Sequence, residues 1–166
     1  MSFRVGTGFD AHRLVPGRPL RLGGVTVPHD RGLLGHSDGD CVLHAVCDAL
    51  LGAVAAGDMG QHFPSSDARF AGQESRVFLQ EVVRLLAAGN ARIENVDVTV
   101  IAAEPRLGPH LEPMRAAIAA ILQLPVSAVS VKAKSTDGMG ALGRGEGIAA
   151  QAAALVRTRA ESAGGD

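Results

Sequence analysis

Alternating apolar and polar residues predict strands in this chain, and apolar residues three or four positions apart predict helices. Residues 96–101 (Val-Asp-Val-Thr-Val-Ile) alternate and are rich in β-branched side chains, which favours a strand. The apolar residues of 38–56 have helical spacing, which predicts a helix with Ser37 or Asp38 as its N-cap. In chain order we predict strand 3–9, strand 20–27 with a bulge or turn at Gly23-Gly24, loop 28–37, helix 38–56, loop 57–67, helix 74–88, strand 96–101, helix 109–122, strand 129–134 and a last helix from about Gly145 to Ala160.

The order of these elements predicts a single domain of the α/β class. A length of 166 residues suits one domain. Helix 109–122 lies between strands 96–101 and 129–134, which predicts a βαβ crossover between neighbours in one sheet. We assign the domain to residues 1–160 and expect residues 161–166 to form a frayed C-terminal tail.

The composition argues against nucleic-acid and membrane partners. The 16 basic residues nearly balance the 17 acidic ones, and the chain has no tract of five basic residues. Aromatic residues make up 3%, with no Trp or Tyr, so few side chains could stack on bases. No apolar run approaches the roughly 18 residues of a membrane span. The only cysteines, Cys41 and Cys47, lie on one predicted helix at a spacing that does not favour a disulfide, which predicts a cytoplasmic protein.

Three residues form a candidate site for a catalytic zinc ion. Asp10 and His12 are two positions apart at the end of the first strand, so an extended backbone points both side chains to one face. His44 lies between apolar residues of helix 38–56, so we expect its ring to be buried and to need a polar partner. Two imidazoles and one carboxylate are a common zinc ligand set that leaves a fourth position open. Asp40 or Asp48 could hold the other ring nitrogen of His44.

The glycine-rich segment 131–147 is a candidate cradle for phosphate groups. Its pattern Gly138-x-Gly140-x-x-Gly143 matches a dinucleotide fingerprint, but the strand and acidic residue that should follow have no room. Glycine N–H groups and a helix N-terminus bind anions, as do the basic and hydroxyl side chains of Lys132, Lys134, Ser135, Thr136 and Arg144. Asp137 is an acid within this cradle, which indicates a divalent cation between its carboxylate and the phosphates. The alternative is a flexible surface loop.

Six motifs, in order along nearly the whole chain, carry a family resemblance. They are Gly8-Phe9-Asp10-x-His12, Gly35-His36-Ser37-Asp38-Gly39-Asp40, His44-Ala45-x-x-Asp48-Ala49-Leu50-Leu51-Gly52, Gly57-Asp58-Met59-Gly60, Asn95-Val96-Asp97-Val98-Thr99 and Gly143-Arg144-Gly145-Glu146-Gly147. By these motifs the chain resembles the 2-C-methyl-D-erythritol 2,4-cyclodiphosphate synthases, metal-dependent lyases of the non-mevalonate pathway that makes isoprenoid (terpenoid) precursors. The resemblance implies conversion of 4-diphosphocytidyl-2-C-methyl-D-erythritol 2-phosphate to the cyclic diphosphate and CMP.

The resemblance also implies an assembly and cofactors. The family fold is an α/β subunit with a mixed four-stranded sheet covered by helices, assembled as a homotrimer with active sites between neighbours, in the cytoplasm. Residues 1–160 would be the cyclodiphosphate synthase domain. One Zn²⁺ per site would be held by Asp10, His12 and His44. A second divalent ion, Mg²⁺ or Mn²⁺, would be held by Asp137, where the family often has Glu.

Further residues are implied to contact the cytidine diphosphate-linked substrate. His36 and Ser135 would stabilise the transition state, and Ser135 stands where the family has Thr. His36 and Ser37 would contact the 2-phosphate side. The remaining substrate-binding residues are Asp58, Gly60, Phe63, Ser65 (where Asp is frequent) and Asp67 around the methylerythritol group, Ala102 and Arg106 (where Lys is common) in the cytidine pocket, and Lys134, Ser135, Thr136, Ala141 and Arg144 in the glycine-rich segment.

Two alternatives use the same candidate zinc site differently. A zinc-dependent phosphoesterase acting on a nucleotide-like diphosphate would use the metal to activate water and would release a linear product. A non-catalytic binding module would hold a structural zinc with four protein ligands, and Cys41 or Cys47 would then be the fourth ligand.

Overall fold

The computed structural model describes residues 1–159 and contains seven strands and five α-helices in this part of the chain. The expected frayed tail, residues 161–166, lies outside the described residues. The strands are β1 (Ser2–Pro16), β2 (Leu20–Leu22), β3 (Val25–Val27), β4 (Arg31–Leu33), β5 (Arg92–Ile101), β6 (Val129–Lys134) and β7 (Gly147–Thr158). The helices are α1 (Cys41–Ala53), α2 (Met59–His62), α3 (Ser75–Ala88), α4 (Leu111–Leu122) and α5 (Gly140–Gly143). None of these helices is long and apolar enough to cross a membrane.

The main sheet is mixed and has the strand order β4-β1-β7-β5-β6. Strand β7 pairs antiparallel with β1 on one side and with β5 on the other. Strands β5 and β6 are parallel and are connected through α4, which confirms the predicted βαβ crossover. The three-residue β4 adds an edge strand that the expected four-stranded sheet did not include. Strands β2 and β3 form a separate hairpin, so Gly23-Gly24 is a turn rather than a bulge.

Glycines in β1 allow α1 to pack unusually close to the sheet. A Cβ atom on Gly8 would lie 2.0 Å from the carbonyl oxygen of Ala45, and one on Gly6 would lie 1.9 Å from that of Ala49. These distances are far shorter than van der Waals contact, so a side chain at either position requires the backbone to move. The close approach brings the middle of β1 directly against α1.

The predicted helix at 145–160 is wrong, because Gly147–Thr158 forms the central strand β7 and Ala160 lies outside the described residues. Alanine-rich sequence favours a helix locally. Here Ala152 and Ala154 are buried and pair with the two glycines of β1, so small side chains lie beneath α1. Pairing on both edges of the strand and close packing under α1 override the local preference. The glycine-rich segment therefore leads into the four-residue α5 and not into a long helix.

Three smaller predictions also differ from the structure. Strand β4 lies within the predicted loop 28–37, and α2 lies within the predicted loop 57–67. The N-cap of α1 is Asp40 rather than Ser37 or Asp38, because its carboxylate accepts a main-chain N–H bond from the first turn of the helix. The helix consequently begins at Cys41, three residues later than predicted.

Among residues 1–159, no helix packs on one face of the sheet. Phe3, Val5 and Phe9 of β1 expose 63%, 70% and 61% of their surfaces. Because side chains alternate along a strand, these three residues point away from the face that Gly6 and Gly8 present to α1. The sheet therefore presents an open apolar surface on the side opposite to the helices.

Candidate metal centre and substrate pocket

Asp10, His12 and His44 direct three ligand atoms at one point between β1 and α1. The Asp10 Oδ2 atom lies 2.9 Å from His12 Nε2 and 2.9 Å from His44 Nδ1. The two imidazole nitrogens are 3.3 Å apart. Asp10 and His12 lie within β1, which continues to Pro16, and not at its end as predicted. Within residues 1–159, these three side chains form the group whose ligand atoms are close enough to share a metal ion.

The spacing of these atoms fits a tetrahedral zinc ion. Ligands about 2.0–2.1 Å from zinc in a tetrahedron lie about 3.3 Å from one another, and the three measured separations are 2.9, 2.9 and 3.3 Å. Three protein ligands leave a fourth position for substrate or water. Cys41 and Cys47 are free thiols buried in α1, and neither belongs to the group. The geometry therefore favours an open site over a closed structural site with a cysteine ligand.

Hydrogen bonds determine which nitrogen of each imidazole faces the shared point. The Nδ1 atom of His12 lies 2.7 Å from the carbonyl oxygen of Leu34, to which it donates, so Nε2 is the ligand atom. His44 has the opposite orientation, with Nδ1 toward Asp10 and Nε2 2.8 Å from the Oγ atom of Ser75. Ser75 is fully buried at the first position of α3.

The carboxylates of Asp40 and Asp48 bond to the main chain, so the prediction that one of them holds His44 is wrong. The fully buried Asp40 accepts bonds from the N–H groups of Gly23 and Gly24 at 2.8 and 2.7 Å. Asp48 accepts a bond from the N–H group of Met59 at 2.8 Å. Burial raises the pKa of both carboxyls, and main-chain donors oppose that shift. These residues anchor the β2–β3 turn and the start of α2 against α1.

The triad is coupled electrostatically. Burial disfavours the Asp10 carboxylate, but hydrogen bonds and charge from His12 and His44 outweigh burial and hold its pKa well below the usual range. The hydrogen bond that His12 donates to the Asp10 carboxylate raises the pKa of His12 above 6.5, although burial opposes the shift. Asp10 is therefore ionised and ready to bind a cation at neutral pH, whereas a proton competes with a metal for His12.

The triad lies at a pocket of about 360 Å³ that several predicted residues share. From the implied substrate-binding set, the pocket is lined by His36, Ser37, Gly60, Phe63 and Ser65. One wall is aromatic, with the ring centroids of Phe63 and Phe78 4.8 Å apart and Phe70 within 5.8 Å of both. The pocket thus combines a polar metal-binding side with an apolar wall, which suits an anionic ligand that carries an aliphatic group.

The loop that carries His36 and Ser37 is held from two sides. The Arg18 guanidinium donates to the carbonyl oxygens of Gly35 and Ser37 at 3.1 and 2.7 Å. Main-chain bonds from Gly72 to His36 and from Asp38 to Gln73 tie the loop to the segment before α3. His36 is exposed, whereas Ser37 is buried, and its Oγ atom lies 3.2 Å from His44 Nε2.

Apart from Asp58 and Asp67, the other implied residues form a second group, at the carboxyl ends of the parallel strands β5 and β6. Ala102 and Arg106 follow β5, Lys134 ends β6, and the N–H of Ala102 bonds to the Lys134 carbonyl at 3.0 Å. Ser135, Thr136, Asp137, Ala141 and Arg144 lie in the connection to β7. Among the residues described, none of this second group lines the pocket of the triad. Within one chain the implied site residues therefore fall into two separate groups, here termed half-sites.

Two basic residues of the glycine-rich segment 131–147, the predicted phosphate cradle, form ion pairs in the structure. Lys132 donates to Asp97 at 2.5 Å, and Arg144 donates to Glu146 at 2.6 Å, so both cations already have an acidic partner. The hydrogen bond from Lys132 lowers the pKa of Asp97. Asp137 is exposed and has a φ of 51°, which places it in the left-handed region. The expected helix N-terminus is the short α5, which supplies little dipole potential.

Asp58 and Asp67 act as helix caps. The Asp58 carboxylate accepts from the N–H of Gln61 at the start of α2, next to Met59 and Gly60 of the pocket. Asp67 pairs with Arg69 at 2.6 Å and caps the short 3-10 helix Ala68–Phe70, but Asp67 does not itself line the pocket. Their local role is to shape the loop that carries Phe63 and Ser65.

Sequence reasoning missed several residues of the site. Ser75 contacts a metal ligand, Arg18 holds the loop of His36, and Phe70 and Phe78 complete the aromatic wall. The apolar face of helix 74–88 could have indicated Phe78, whereas no sequence pattern indicated Phe70. Ser75 and Arg18 lie 31 and 17 residues from the groups that they contact, and no local pattern marks them.

The fold and site together define an α/β protein with a candidate metal site at a ligand-sized pocket, the arrangement of a metal-dependent enzyme. A sequence model of the YgbB family matches residues 3–157. The chain is 59% identical to the 2-C-methyl-D-erythritol 2,4-cyclodiphosphate synthase of Paraburkholderia xenovorans (strain LB400), over 94% of this chain and 98% of that protein. The chain therefore belongs to the YgbB family, that of the 2-C-methyl-D-erythritol 2,4-cyclodiphosphate synthases.

Two solved structures have the same fold. A 2-C-methyl-D-erythritol 2,4-cyclodiphosphate synthase in a CDP-bound form superposes with a TM-score of 0.86 at 37% identity, covering 93% of this chain and all of that one. The bifunctional IspDF from Campylobacter jejuni superposes with a TM-score of 0.91 at 34% identity. This chain covers 42% of that longer protein, and 95% of its own length is matched.

Proposed function

We propose that this chain closes 4-diphosphocytidyl-2-C-methyl-D-erythritol 2-phosphate into 2-C-methyl-D-erythritol 2,4-cyclodiphosphate. An oxygen of the 2-phosphate attacks the diphosphate phosphorus that is bound to the methylerythritol. The bond from that phosphorus to the oxygen of CMP then breaks. CMP leaves with the electron pair of that bond. The observation that carries the proposal is the convergence of Asp10, His12 and His44 on one point at a pocket with an aromatic wall. Curated relatives that share 59% identity are named for this activity.

The reaction requires one phosphate anion to approach another, so catalysis depends on neutralising charge and holding the reacting groups in place. Asp10, His12 and His44 fit Zn²⁺ in their donor set and spacing. Zinc bound there would orient and polarise the diphosphate. The Asp10 carboxylate remains ionised because its pKa is lowered, so the ligand set carries one negative charge.

The loop 35–38 is suited to hold the attacking 2-phosphate. His36 is exposed at the pocket, and its carbonyl oxygen accepts a main-chain hydrogen bond from Gly72. This bond fixes the backbone from which the imidazole extends toward the ligand. Phe63, Phe70 and Phe78 present an apolar surface to the methyl-bearing carbon skeleton. His36 would stabilise charge in the transition state, while the aromatic wall would exclude water that could compete as a nucleophile.

We propose that the second half-site binds cytidine and the second divalent ion. Ala102 and Arg106 would bind the cytidine. Ser135 would stabilise charge in the transition state, and Lys134, Thr136, Ala141 and Arg144 would complete the contacts to the diphosphate. Asp137 would hold Mg²⁺ or Mn²⁺ with the diphosphate, because its exposed carboxylate is an oxygen ligand of the type that these ions prefer.

A homotrimer would join the two half-sites. The uncovered face of the sheet carries Phe3, Val5 and Phe9, three large apolar side chains that are more than 60% exposed. Such a surface is typical of a protein interface. Packing this face between copies would cover the apolar side chains and would allow the triad of one chain to meet the cytidine-binding loops of its neighbour.

The product distinguishes this function from a zinc phosphoesterase. We would incubate the purified enzyme with substrate, zinc and magnesium, and would follow the reaction by phosphorus NMR. Cyclisation predicts CMP together with two mutually coupled phosphorus signals of a cyclic diphosphate. A linear methylerythritol bisphosphate released with CMP would contradict the proposal and would favour hydrolysis.

A further inference from the structure

We propose that Ser75 and Asp38 are positioning residues that fix His44 as a metal ligand through a hydrogen-bond relay. The inference rests on the zinc site proposed above and adds two residues that do not touch the metal or the substrate. The relay runs from the Asp38 carboxylate through the Ser75 hydroxyl to the Nε2 atom of His44. It connects the start of α3 to the metal centre.

The direction of each proton in the relay follows from the partners. Asp38 Oδ1 is hydrogen-bonded to the Ser75 hydroxyl, and an ionised carboxylate can only accept, so Ser75 donates to it. The Ser75 oxygen then accepts at 2.8 Å from His44 Nε2, which must carry the proton. The lone pair of His44 is left on Nδ1, which is the atom 2.9 Å from Asp10 Oδ2. The relay therefore selects the tautomer that binds the metal.

Burial makes this relay necessary for His44. The His44 side chain exposes 13% of its surface and Ser75 exposes none, so water has little access to the Nε2 proton. A buried N–H group without an acceptor is costly. Ser37 Oγ lies 3.2 Å from the same nitrogen, a longer contact, and it already accepts from the N–H of Gly39. Ser75 is therefore the main acceptor.

Asp38 has a second role that the test must separate from the first. Its Oδ2 atom accepts from the main-chain N–H of Ser75 at 3.1 Å and so satisfies a free donor at the start of α3. Replacement of Ser75 by alanine keeps that main-chain bond and removes only the hydroxyl. Ser75→Ala therefore interrupts the relay while the capping of α3 is retained.

Zinc affinity provides the first test, measured on metal-free protein by competition with a chromophoric chelator. We expect Ser75→Ala to bind zinc about 10- to 100-fold more weakly than wild type, as is typical when the outer partner of a metal-bound histidine is lost. Asp38→Asn should weaken binding in the same direction, because one amide oxygen cannot accept both bonds from Ser75. Both residues act through one hydrogen-bond path, so the two effects should not add. The double variant should bind zinc about as tightly as whichever single variant has the lower zinc affinity.

The proton on His44 provides a readout that does not involve activity. In zinc-loaded wild-type protein, proton–nitrogen correlation NMR should show the His44 Nε2 proton shifted downfield and exchanging slowly with solvent. In zinc-loaded Ser75→Ala the signal should move upfield or exchange rapidly. Unchanged zinc affinity with an unchanged Nε2 signal, or independent multiplicative effects of the two substitutions, would overturn the relay. Wild-type protein that binds no zinc would instead overturn the metal site itself.

Discussion

The Asp10 Oδ2 atom lies 2.9 Å from the His44 Nδ1 atom and joins residues 34 positions apart in the sequence. Because both atoms would bind the metal, we expect Asp10→Asn to lower kcat/KM at least about 100-fold, a loss typical of removing an electrostatic contact to the transition state. Zinc per chain, measured by elemental analysis, should fall in parallel. The variant should still fold, since Asp10 is only partly buried.

Asp30→Asn is the matched control for this substitution. Asp30 is an exposed loop residue outside the pocket, so the variant should keep both zinc and activity. Near-native turnover by Asp10→Asn after exhaustive chelation and dialysis would show that a metal at this position is not catalytic.

The pH dependence of zinc affinity follows from the state of His12. Its pKa is raised above 6.5, so the proton occupies His12 up to a higher pH than in a free histidine. Below that raised pKa a metal must displace the proton, and affinity should fall about tenfold per pH unit. Above it the competition ends and affinity should level off. Chelator competition between pH 5.5 and 8.5 measures this profile, and a flat profile across this range would contradict the coupling.

The packing of α1 against β1 predicts a strict requirement for glycine at position 8. Gly8→Ala would place a Cβ atom 2.0 Å from the Ala45 carbonyl oxygen, so the backbone must shift. We expect a loss of about 2 kcal/mol or more in the free energy of unfolding, or about 4–8 °C in melting temperature for a chain of this size. Gly108→Ala is the control, because a Cβ atom there meets nothing within 4 Å. Equal melting temperatures for the two variants would refute this account.

The open face of the sheet predicts that assembly depends on Phe9. Phe9→Glu places a charge where an apolar interface is proposed, so it should convert the proposed trimer to monomers in analytical ultracentrifugation. Activity should fall about 100-fold, because the reacting groups would no longer be held together. Val126→Glu changes another exposed apolar residue, 42% accessible and located in the 3-10 helix Val126–Ala128 before β6, and should leave the proposed trimer intact. A monomeric wild-type enzyme, or a fully active Phe9→Glu trimer, would contradict the shared site.

Asp137 should control the second divalent ion and not zinc. Asp137→Asn is chosen because asparagine tolerates the left-handed backbone at this position, where φ is 51°. We expect about tenfold more Mg²⁺ or Mn²⁺ to be needed for half-maximal activity, with zinc per chain unchanged. An unaltered magnesium or manganese requirement would argue against this role.

The local pattern of apolar and polar residues predicted those helices and strands whose packing in the fold follows the same pattern. Strands β5 and β6 alternate clearly, and α3 carries an amphipathic pattern, so their boundaries were predicted to within a few residues. Strand β7 was missed because Ala152 and Ala154 suit a helix locally, whereas their small size serves the close approach of α1 to the sheet. Pairing with β1, which lies more than 100 positions earlier in the chain, makes this segment a strand.

The metal ligands could be predicted because their chemistry is concentrated in short motifs. Asp10-x-His12 places two donors on one side of any strand, and His44 is an unusual residue among apolar neighbours. The supporting contacts could not be predicted, since Ser75 and Arg18 reach the site only through the tertiary fold. The aspartates near His44 were assigned to it by helical spacing, but main-chain donors of neighbouring loops bind them instead.

X-ray absorption at the zinc edge shows directly which atoms bind the metal. For protein loaded with one zinc per chain, binding by Asp10, His12 and His44 predicts a first shell of nitrogen and oxygen at about 2.0–2.1 Å. Outer-shell scattering should correspond to two imidazoles, and the shell should change when CDP is added because the fourth position is open. A sulfur neighbour at about 2.3 Å, or a complete shell of four protein ligands that CDP leaves unaltered, would contradict an open site formed by Asp10, His12 and His44.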